Sequence, residues 1–239
     1  ETPSNPLLTI TNIEAVASIA KKHNLVSMID NTFASPINQN PANFGIDVII
    51  HSATKYMGGH SDICAGAVAA SNEKIEQIFQ MAKNFGGSLS DYTVWLLERS
   101  IKTMGIRVKA QNSNAQKMAE YLEGNADIAK VYYPGLPSHP DHKLAKSQMR
   151  GFGGMLSFEL NDSLDAMEFQ RALELIKPSM SLAGVESTML SPTQTSHALL
   201  GAEERAKQGI KDGLIRFSIG IEEVEDIIAD IEQALQKIK

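Results

Sequence analysis

The stretch HSATKYMGGH at residues 51–60 decides the fold, because it places a lysine where a short strand ends. The run DVII at residues 47–50 precedes it and carries β-branched side chains without helical spacing, which predicts a strand. Small hydroxyl residues, Ser52 and Thr54, flank Lys55, and two glycines follow. Ligands of open α/β sheets bind beyond the carboxyl ends of strands. Lys55 is therefore a candidate reactive amine, and the hydroxyls and backbone N–H groups of the turn are candidate phosphate ligands.

The same stretch allows two other interpretations. One is a solvated lysine after a buried strand. The other is the Ser-x-x-Lys motif of acyl enzymes of the penicillin-binding and β-lactamase type, with Ser52 as the nucleophile. The triplets SDY at 90–92 and KTM at 102–104 imitate the later motifs of those enzymes. That interpretation requires a strand at Lys102, whereas the pattern there is helical. We therefore rank it below the interpretation that Lys55 forms a Schiff base with a phosphorylated aldehyde cofactor.

Asp30 is the second informative residue, because it ends the preceding strand. The capping-box pattern TNIE at 11–14 predicts a helix from Thr11, and the apolar run at 25–29 predicts a buried strand that stops at Asp30. A helix and two strands in this order favour the alternation of a mostly parallel α/β sheet. A carboxylate here can pair with the pyridinium nitrogen of such a cofactor, although an aspartate considered without Lys55 is more often a turn cap. Together with Lys55, the cofactor interpretation is favoured.

Composition narrows the functional classes. The chain has 239 residues, a net charge of −6 and one cysteine. The charge argues against nucleic acid or an anionic membrane as partner, and no apolar run approaches membrane-spanning length. A single cysteine excludes an internal disulfide framework and fits the cytoplasm. The chain begins at Glu1 in a proline-rich loop, which we interpret as the start of a piece of a longer protein.

The second half has a different pattern. A long helical pattern ends near Leu122 and predicts a domain boundary, with residues 1–122 forming a large domain and 123–239 a smaller α+β domain. Before it, the run at 63–70 predicts a core strand with Cys64 buried. The segment HPDH at 139–142 predicts a structural loop, and we expect no metal site. Arg216 lies among apolar strand residues, where its partner is either a substrate carboxylate or an acidic side chain.

Seven segments of the chain resemble the Cys/Met-metabolism family of pyridoxal-phosphate enzymes, the trans-sulfuration group. The segments are ETPSNP at 1–6, DNTF at 30–33, HSATKYMGGHSD at 51–62, YPGLPSHP at 133–140, GGMLSFE at 153–159, SLAGVES at 181–187 and RFSIGIE at 216–222. The resemblance implies an α/β fold of type I, similar to aspartate aminotransferase. It also implies a mostly parallel sheet in the large domain, a smaller C-terminal domain, pyridoxal phosphate as cofactor and a cytoplasmic homotetramer.

The resemblance implies a role for each matching residue. Lys55 corresponds to the lysine that binds the cofactor aldehyde and moves protons, and Asp30 to the partner of the pyridinium nitrogen. The remaining implied residues are phosphate ligands Ser52 and Thr54, Asn5 and Thr32 near the cofactor ring, and Arg216, Ser181, Asn5, Ser196 and Glu186 for the substrate.

The implied activity is γ-elimination or γ-replacement on cystathionine or homoserine-derived sulfur amino acids. Cystathionine β-lyase and methionine γ-lyase are alternatives on the same fold, and an inactive fragment or non-catalytic subunit is an alternative of another class. Leu182 stands where some β-lyases carry tryptophan, which favours γ-chemistry, while Ala183 and Ser196 depart from the usual glycine and threonine. Because the family's earlier part contributes to its pocket, we expect this segment alone to form an incomplete one.

Overall fold

The structure is a computed structural model that describes residues 1–195 and 201–239. The helices are α1 (Ile13–Lys22), α2 (Ser35–Asn38), α3 (Asn72–Phe85), α4 (Asp91–Glu123), α5 (His142–Gln148), α6 (Ala166–Ala172), α7 (Ala202–Lys207) and α8 (Val224–Lys237). The strands are β1 (Met28–Asp30), β2 (Val48–Ser52), β3 (Gly66–Ala70), β4 (Ile128–Tyr132), β5 (Met155–Leu160), β6 (Lys177–Pro178), β7 (Thr188–Leu190) and β8 (Leu214–Ser218). Short 3₁₀ turns lie at Pro41–Phe44 and Pro192–Gln194.

The first sheet has three strands in the order β1-β2-β3. Strands β1 and β2 are parallel, with Asp30 opposite Ile50, whereas β2 and β3 are antiparallel, with Ser52 opposite Gly66. Among the described residues this sheet is mixed, so the expectation of a mostly parallel sheet is not met here. The parallel pair still directs Asp30 and Ser52 to the same edge, as expected for the carboxyl ends of neighbouring strands.

The second sheet has five strands in the order β4-β5-β8-β7-β6, all antiparallel except the pair β6 and β7. Strands β5 and β8 are buried along their whole length. Their apolar side chains form the largest core together with the apolar faces of α6 and α8 and the C-terminal end of α4. This core fixes β8, and therefore Arg216, in a rigid position.

Helix α4 is 33 residues long and joins the two sheets. Ser90 caps it, since its side chain accepts a hydrogen bond from the backbone N–H of Thr93. The helix is continuous through Gly105, as its residue range shows. Lys102 lies inside it and in no strand, which contradicts the Ser-x-x-Lys acyl-enzyme interpretation.

Three local predictions were wrong. The cap of α1 is Asn12, whose side chain accepts from the N–H of Ala15, so the helix starts one residue later than the Thr11 capping box predicts. Cys64 is exposed and precedes β3, since the strand begins only at Gly66 and its own residues are largely exposed. The amphipathic pattern of the sequence predicts a helix from Ala166 to Ile176, but α6 ends at Ala172, because Leu173 adopts an extended backbone.

Exposed apolar side chains concentrate on the first half of the chain. Phe85, Trp95 and Ile106 are 82%, 56% and 74% exposed, and Leu25 and Val26 near β1 are also exposed. Among residues 1–195 and 201–239, no helix combines the length and apolar character needed to cross a bilayer.

Candidate active site

A cavity of about 270 Å³ lies beyond the carboxyl ends of β1 and β2. Its lining residues are Glu1, Pro3, Asn5, Asp30, Thr32, Phe33, Ser52, Lys55, Met180, Leu182 and Arg216. Six of the residues predicted from sequence thus surround one cavity, although they come from positions 5 to 216 of the chain. The cavity is the place where both sheets contribute side chains to the same space.

Lys55 lies on a turn that directly follows β2. The turn is held by a hydrogen bond from the N–H of Lys55 to the carbonyl of Ser52 (3.1 Å) and by one from the N–H of Gly59 to the carbonyl of Lys55 (2.6 Å). Burial lowers the pKa of Lys55, the positive charge of Arg216 lowers it further, and Cys64 opposes the shift. The amine is therefore neutral, and nucleophilic, at a lower pH than that of a free lysine.

Asp30, Thr32 and Ser52 are connected by hydrogen bonds at the edge of the sheet. The N–H of Thr32 donates to Oδ1 of Asp30 (2.9 Å), and the N–H of Ser52 donates to Oγ1 of Thr32 (2.7 Å). Thr32 therefore fixes the ends of both strands. Behind them, burial lowers the pKa of His51 and the Asp30 carboxylate opposes that shift.

Arg216 is a buried cation, only 4% exposed, in the middle of β8. Its Nη1 donates to Oδ1 of Asn5 (3.4 Å) and its Nη2 to the carbonyl of Met180 (3.0 Å), and burial lowers its pKa to about 10. In the described part of the chain no carboxylate forms an ion pair with it, so the predicted alternative of a structural ion pair is not observed. A buried cation held only by neutral groups is suited to binding an anionic ligand.

The Thr54 hydroxyl and the backbone N–H groups of the turn, which the sequence predicts as phosphate ligands, form hydrogen bonds within the chain. The Thr54 hydroxyl accepts from the N–H of Ala65 (2.9 Å) and donates to the carbonyl of Ala65 (3.3 Å), and Thr54 does not line the cavity. The N–H groups of Thr54 and Lys55 donate to carbonyls, and that of Ser52 to Thr32. These three N–H groups are therefore engaged within the chain, and the Ser52 hydroxyl remains the candidate phosphate ligand at this position.

Ser181 and Glu186 lie outside the lining of the cavity. Ser181 Oγ is 3.3 Å from Ser61 Oγ, and Glu186 is exposed. Ser196 lies outside the described residues. Ser181 and Glu186 are connected with the site by their proximity in the sequence to Met180 and Leu182, which line the cavity.

The motif at the start of the chain contributes more than the sequence prediction assigned to it. Glu1 and Pro3 line the cavity, and Oε1 of Glu1 accepts a hydrogen bond from the N–H of Asn5 (2.6 Å). Both residues belong to the segment ETPSNP, from which only Asn5 was predicted as a site residue. Phe33 and Met180 were also missed, and only their position next to Thr32 and Ser181 could have suggested them.

A larger cavity, of about 540 Å³, lies near Leu7, the end of α4, β4 and His139. It contains none of the residues gathered at the ends of β1 and β2. Size alone would favour it as the site. We favour the smaller cavity because a lysine of lowered pKa and a buried arginine that donates to neutral groups face it together.

The model of the Cys/Met metabolism PLP-dependent enzyme family matches residues 1–236. The chain belongs to this family. It is 47% identical over 238 residues to a cystathionine beta-lyase of Lactococcus lactis subsp. cremoris and 46% identical over 239 residues to a cystathionine gamma-lyase of Bacillus subtilis. These matches cover 99% and 100% of the chain but 63% of each relative, so the chain spans less than two thirds of their length.

Solved structures of the family share this fold. A cystathionine gamma-lyase from Lactobacillus plantarum complexed with L-serine superposes with a TM-score of 0.96 at 42% identity, covering 99% of this chain and 62% of that one. A cystathionine gamma synthase from Xanthomonas oryzae pv. oryzae gives 0.95 at 43% identity, with the same coverage. The chain therefore has the α/β fold of type I pyridoxal-phosphate enzymes.

The donor set of the smaller cavity fits pyridoxal phosphate. Lys55 offers an amine of lowered pKa for the aldehyde, Asp30 a carboxylate for the ring nitrogen, and Ser52 a hydroxyl for the phosphate. The three groups face one cavity, and each is of the chemical type that one end of the cofactor requires.

Proposed function

We propose that the protein containing this chain is a pyridoxal-phosphate-dependent trans-sulfuration enzyme that performs γ-elimination or γ-replacement on cystathionine or homoserine-derived sulfur amino acids. The observation that carries the proposal is the single cavity shared by the amine of Lys55, the carboxylate of Asp30 and the buried cation of Arg216. In pyridoxal-phosphate chemistry an amine can bind the aldehyde and remove the α-proton, a carboxylate can keep the ring nitrogen protonated, and a cation can bind the substrate carboxylate.

The proposal assigns functions to five residues of the cavity. Bound pyridoxal phosphate would supply an aldehyde for the substrate amine and a ring that accepts electrons from the substrate α-carbon. Lys55 would hold the cofactor aldehyde and, when free, would accept the α-proton, and its lowered pKa favours the neutral amine that this role needs. Asp30 holds a proton at the ring nitrogen. Arg216 and Asn5 hold the substrate α-carboxylate, and Ser52 binds the phosphate.

Thr54 and Ser181 have supporting functions in the proposal. The hydroxyl of Thr54, bound to Ala65, fixes the turn that carries Lys55. Ser181 follows Met180, whose carbonyl accepts from Arg216, and is therefore near the proposed carboxylate site. Thr32 lies beside the ring. Glu186 and Ser196 are proposed for the substrate on the resemblance alone.

The position of bond cleavage is the finer part of the proposal. The identities to the β-lyase and the γ-lyase differ by only one percentage point, 47% against 46%, so overall similarity favours neither reaction. Leu182 lines the cavity and is buried, which leaves an aliphatic wall where some β-lyases have tryptophan. We therefore propose γ-chemistry, with the β-lyase reaction as the second candidate.

The test is product analysis with the full-length polypeptide that contains this chain. With cystathionine, water and pyridoxal phosphate, γ-elimination yields 2-oxobutanoate, ammonia and cysteine, whereas β-elimination yields pyruvate, ammonia and homocysteine. The Lys55→Ala variant is the control and should form neither oxoacid. Pyruvate as the main product would replace γ-chemistry with the β-lyase alternative. No turnover by the wild type, either with any sulfur amino acid or with an O-acyl-homoserine and cysteine together, would support the non-catalytic alternative.

The domain division and the assembly belong to the same proposal. Separate sheets and a core confined to residues 115–235 support a large domain over 1–122 and a smaller one over 123–239. The exposed apolar side chains of the first half, Trp95 and Ile106 among them, support a homotetramer in which they are covered. Analytical ultracentrifugation of the full-length polypeptide tests this. The single cysteine supports a cytoplasmic location.

A further inference from the structure

One face of α4 carries three side chains that donate hydrogen bonds to backbone carbonyls around the site. They are Arg107, Gln111 and Asn114, at the i, i+4 and i+7 positions that share a helix face. Arg107 and Gln111 are buried and Asn114 is half-buried. None of the three lines the cavity. Their hydrogen bonds run to the two loops that carry the proposed cofactor and substrate groups.

Arg107 holds the turn that follows Lys55. Its Nη1 donates to the carbonyl of Tyr56 (2.9 Å), and its Nη2 donates to the carbonyls of Met57 (3.3 Å) and Ser100 (2.9 Å). Among the described residues no carboxylate pairs with Arg107, so its positive charge faces carbonyl dipoles at the end of the lysine turn.

The contact between Arg107 and the lysine turn is close. Gly59 has φ +71°, and a Cβ atom there would lie 1.9 Å from Nη1 of Arg107. Only glycine allows the chain to pass the guanidinium at this distance. The position of Arg107 and the path of the turn therefore determine each other.

Gln111 holds the opposite side of the site. It is fully buried, and its Nε2 donates to the carbonyls of Gly184 (2.8 Å) and Ile219 (3.2 Å). Ile219 follows β8 three residues after Arg216, and Gly184 follows the segment that contains Met180. One turn later on α4, Asn114 donates to the carbonyls of Gly220 and Glu222 at 3.3 and 2.8 Å.

The two loops also touch each other, through the N–H of Val185, which donates to the carbonyl of Gly59 (2.9 Å). Gly59 belongs to the lysine turn and Val185 to the loop beside Arg216. The turn, the loop and the end of β8 thus form one hydrogen-bonded unit on the surface of α4. A helix is a rigid support, since its rise of about 1.5 Å per residue fixes the spacing of the side chains along it.

We propose that Arg107 and Gln111 are positioning residues that hold the Lys55 turn and the Arg216 loop at a fixed separation on α4. Arg107 sets the position of the amine that takes the cofactor, and Gln111 sets the position of the cation that takes the substrate carboxylate. This inference rests on the proposed function, since it assigns those roles to Lys55 and Arg216. The hydrogen bonds from α4 are independent of it.

The experiment uses the full-length polypeptide and four variants, Arg107→Met, Arg107→Lys, Gln111→Leu and Met118→Ala. Met118 is fully buried on the same helix and packs in the core of the second sheet, so its variant is a control for lost stability. Borohydride reduction at a series of pyridoxal phosphate concentrations, followed by peptide mass mapping, gives the concentration that half-labels Lys55. Added glycine, which has an α-carboxylate and no leaving group, gives the concentration that half-protects Lys55 from labelling.

The two positioning variants should change different quantities. Arg107→Met should raise the half-labelling concentration about tenfold or more, the change expected when charge-assisted hydrogen bonds are lost. Gln111→Leu should mainly raise the half-protecting glycine concentration, and Arg107→Lys should recover much of the labelling. Met118→Ala should alter neither quantity by more than roughly threefold. Equal shifts of both quantities in both variants, or shifts no larger than those of Met118→Ala, would overturn the proposal.

Hydrogen exchange without cofactor separates this proposal from the proposed function. Arg107→Met should speed exchange of the N–H groups of Gly58 and Gly59, and Gln111→Leu that of Val185 and Ile219, each relative to Met118→Ala. Unchanged exchange at these sites would contradict the positioning role even if the enzyme assignment holds. If the wild type is not labelled at Lys55 at all, the proposed function fails, and the exchange data still decide whether α4 holds the two loops.

Discussion

Replacing Arg216 by methionine removes a buried cation that lines the proposed site while keeping a side chain of similar length. Arg216 is 4% exposed, so an effective dielectric constant of about 20 is appropriate for its interaction with a carboxylate. At a separation of about 4 Å the attraction is then about 4 kcal/mol, which corresponds to roughly a thousandfold in affinity. The variant also leaves Oδ1 of Asn5 and the carbonyl of Met180 without this donor.

The assay for Arg216→Met is kcat/KM for cystathionine, together with the pyridoxal phosphate concentration that half-labels Lys55. We expect kcat/KM to fall by roughly a thousandfold, while the half-labelling concentration changes much less. Arg171→Met is the matched control, because Arg171 is an exposed arginine whose side chain is 66% accessible and which pairs with Glu168. A fall of less than about tenfold in kcat/KM would refute the assignment of Arg216 to the substrate carboxylate.

Three further predictions concern Asp30, Lys55 and Gly59. Asp30→Asn should lower kcat by about a hundredfold, the lower range for a group that holds a catalytic proton, and equal kcat in rapid-quench assays would contradict that role. The labelled fraction of Lys55 should rise with pH, and the midpoint of this rise should lie at a lower pH than for a free lysine. Burial and Arg216 lower the pKa of Lys55, and only the neutral amine reacts. Arg216→Met removes a positive charge and should move that midpoint to higher pH, so an unchanged or lower midpoint would contradict the stated cause. Gly59→Ala should lower the free energy of unfolding by at least about 1 kcal/mol more than Gly86→Ala in urea titrations, since φ is positive at both but only Gly59 faces a guanidinium nitrogen. Equal losses would show that the contact at Gly59 costs nothing.

The positions of Lys55 and Asp30 could be predicted from local patterns, because Asp30 ends an apolar strand and Lys55 lies on the turn that follows a β-branched strand. Strand direction then placed both side chains at one edge of the sheet, as the parallel pairing of β1 and β2 shows. The place of Arg216 in the site could not be predicted in this way. Its strand could be predicted, but its contact with Asn5, 211 residues earlier, depends on the second sheet packing beside the first, and no local pattern contains that information.

Side-chain environments were the weaker part of the sequence prediction. Cys64 was expected inside a strand because the apolar run begins at Ile63, yet the strand starts at Gly66 and the thiol is exposed. The hydroxyl of Thr54 is bound to Ala65 across the loop, a contact that the motif itself does not indicate. The donors of α4 were missed for the same reason, since an arginine and a glutamine within a long helix normally suggest a solvated face.

The central claim is that Lys55 is the amine that takes the cofactor in the cavity shared with Asp30 and Arg216. The most direct test is borohydride reduction of the full-length polypeptide in the presence of pyridoxal phosphate, followed by mass mapping of its peptides. We expect one phosphopyridoxyl group per chain, on Lys55, with Lys74 and Lys102 unmodified as internal controls. Labelling spread over exposed lysines, or none on Lys55 with excess cofactor, would contradict the claim.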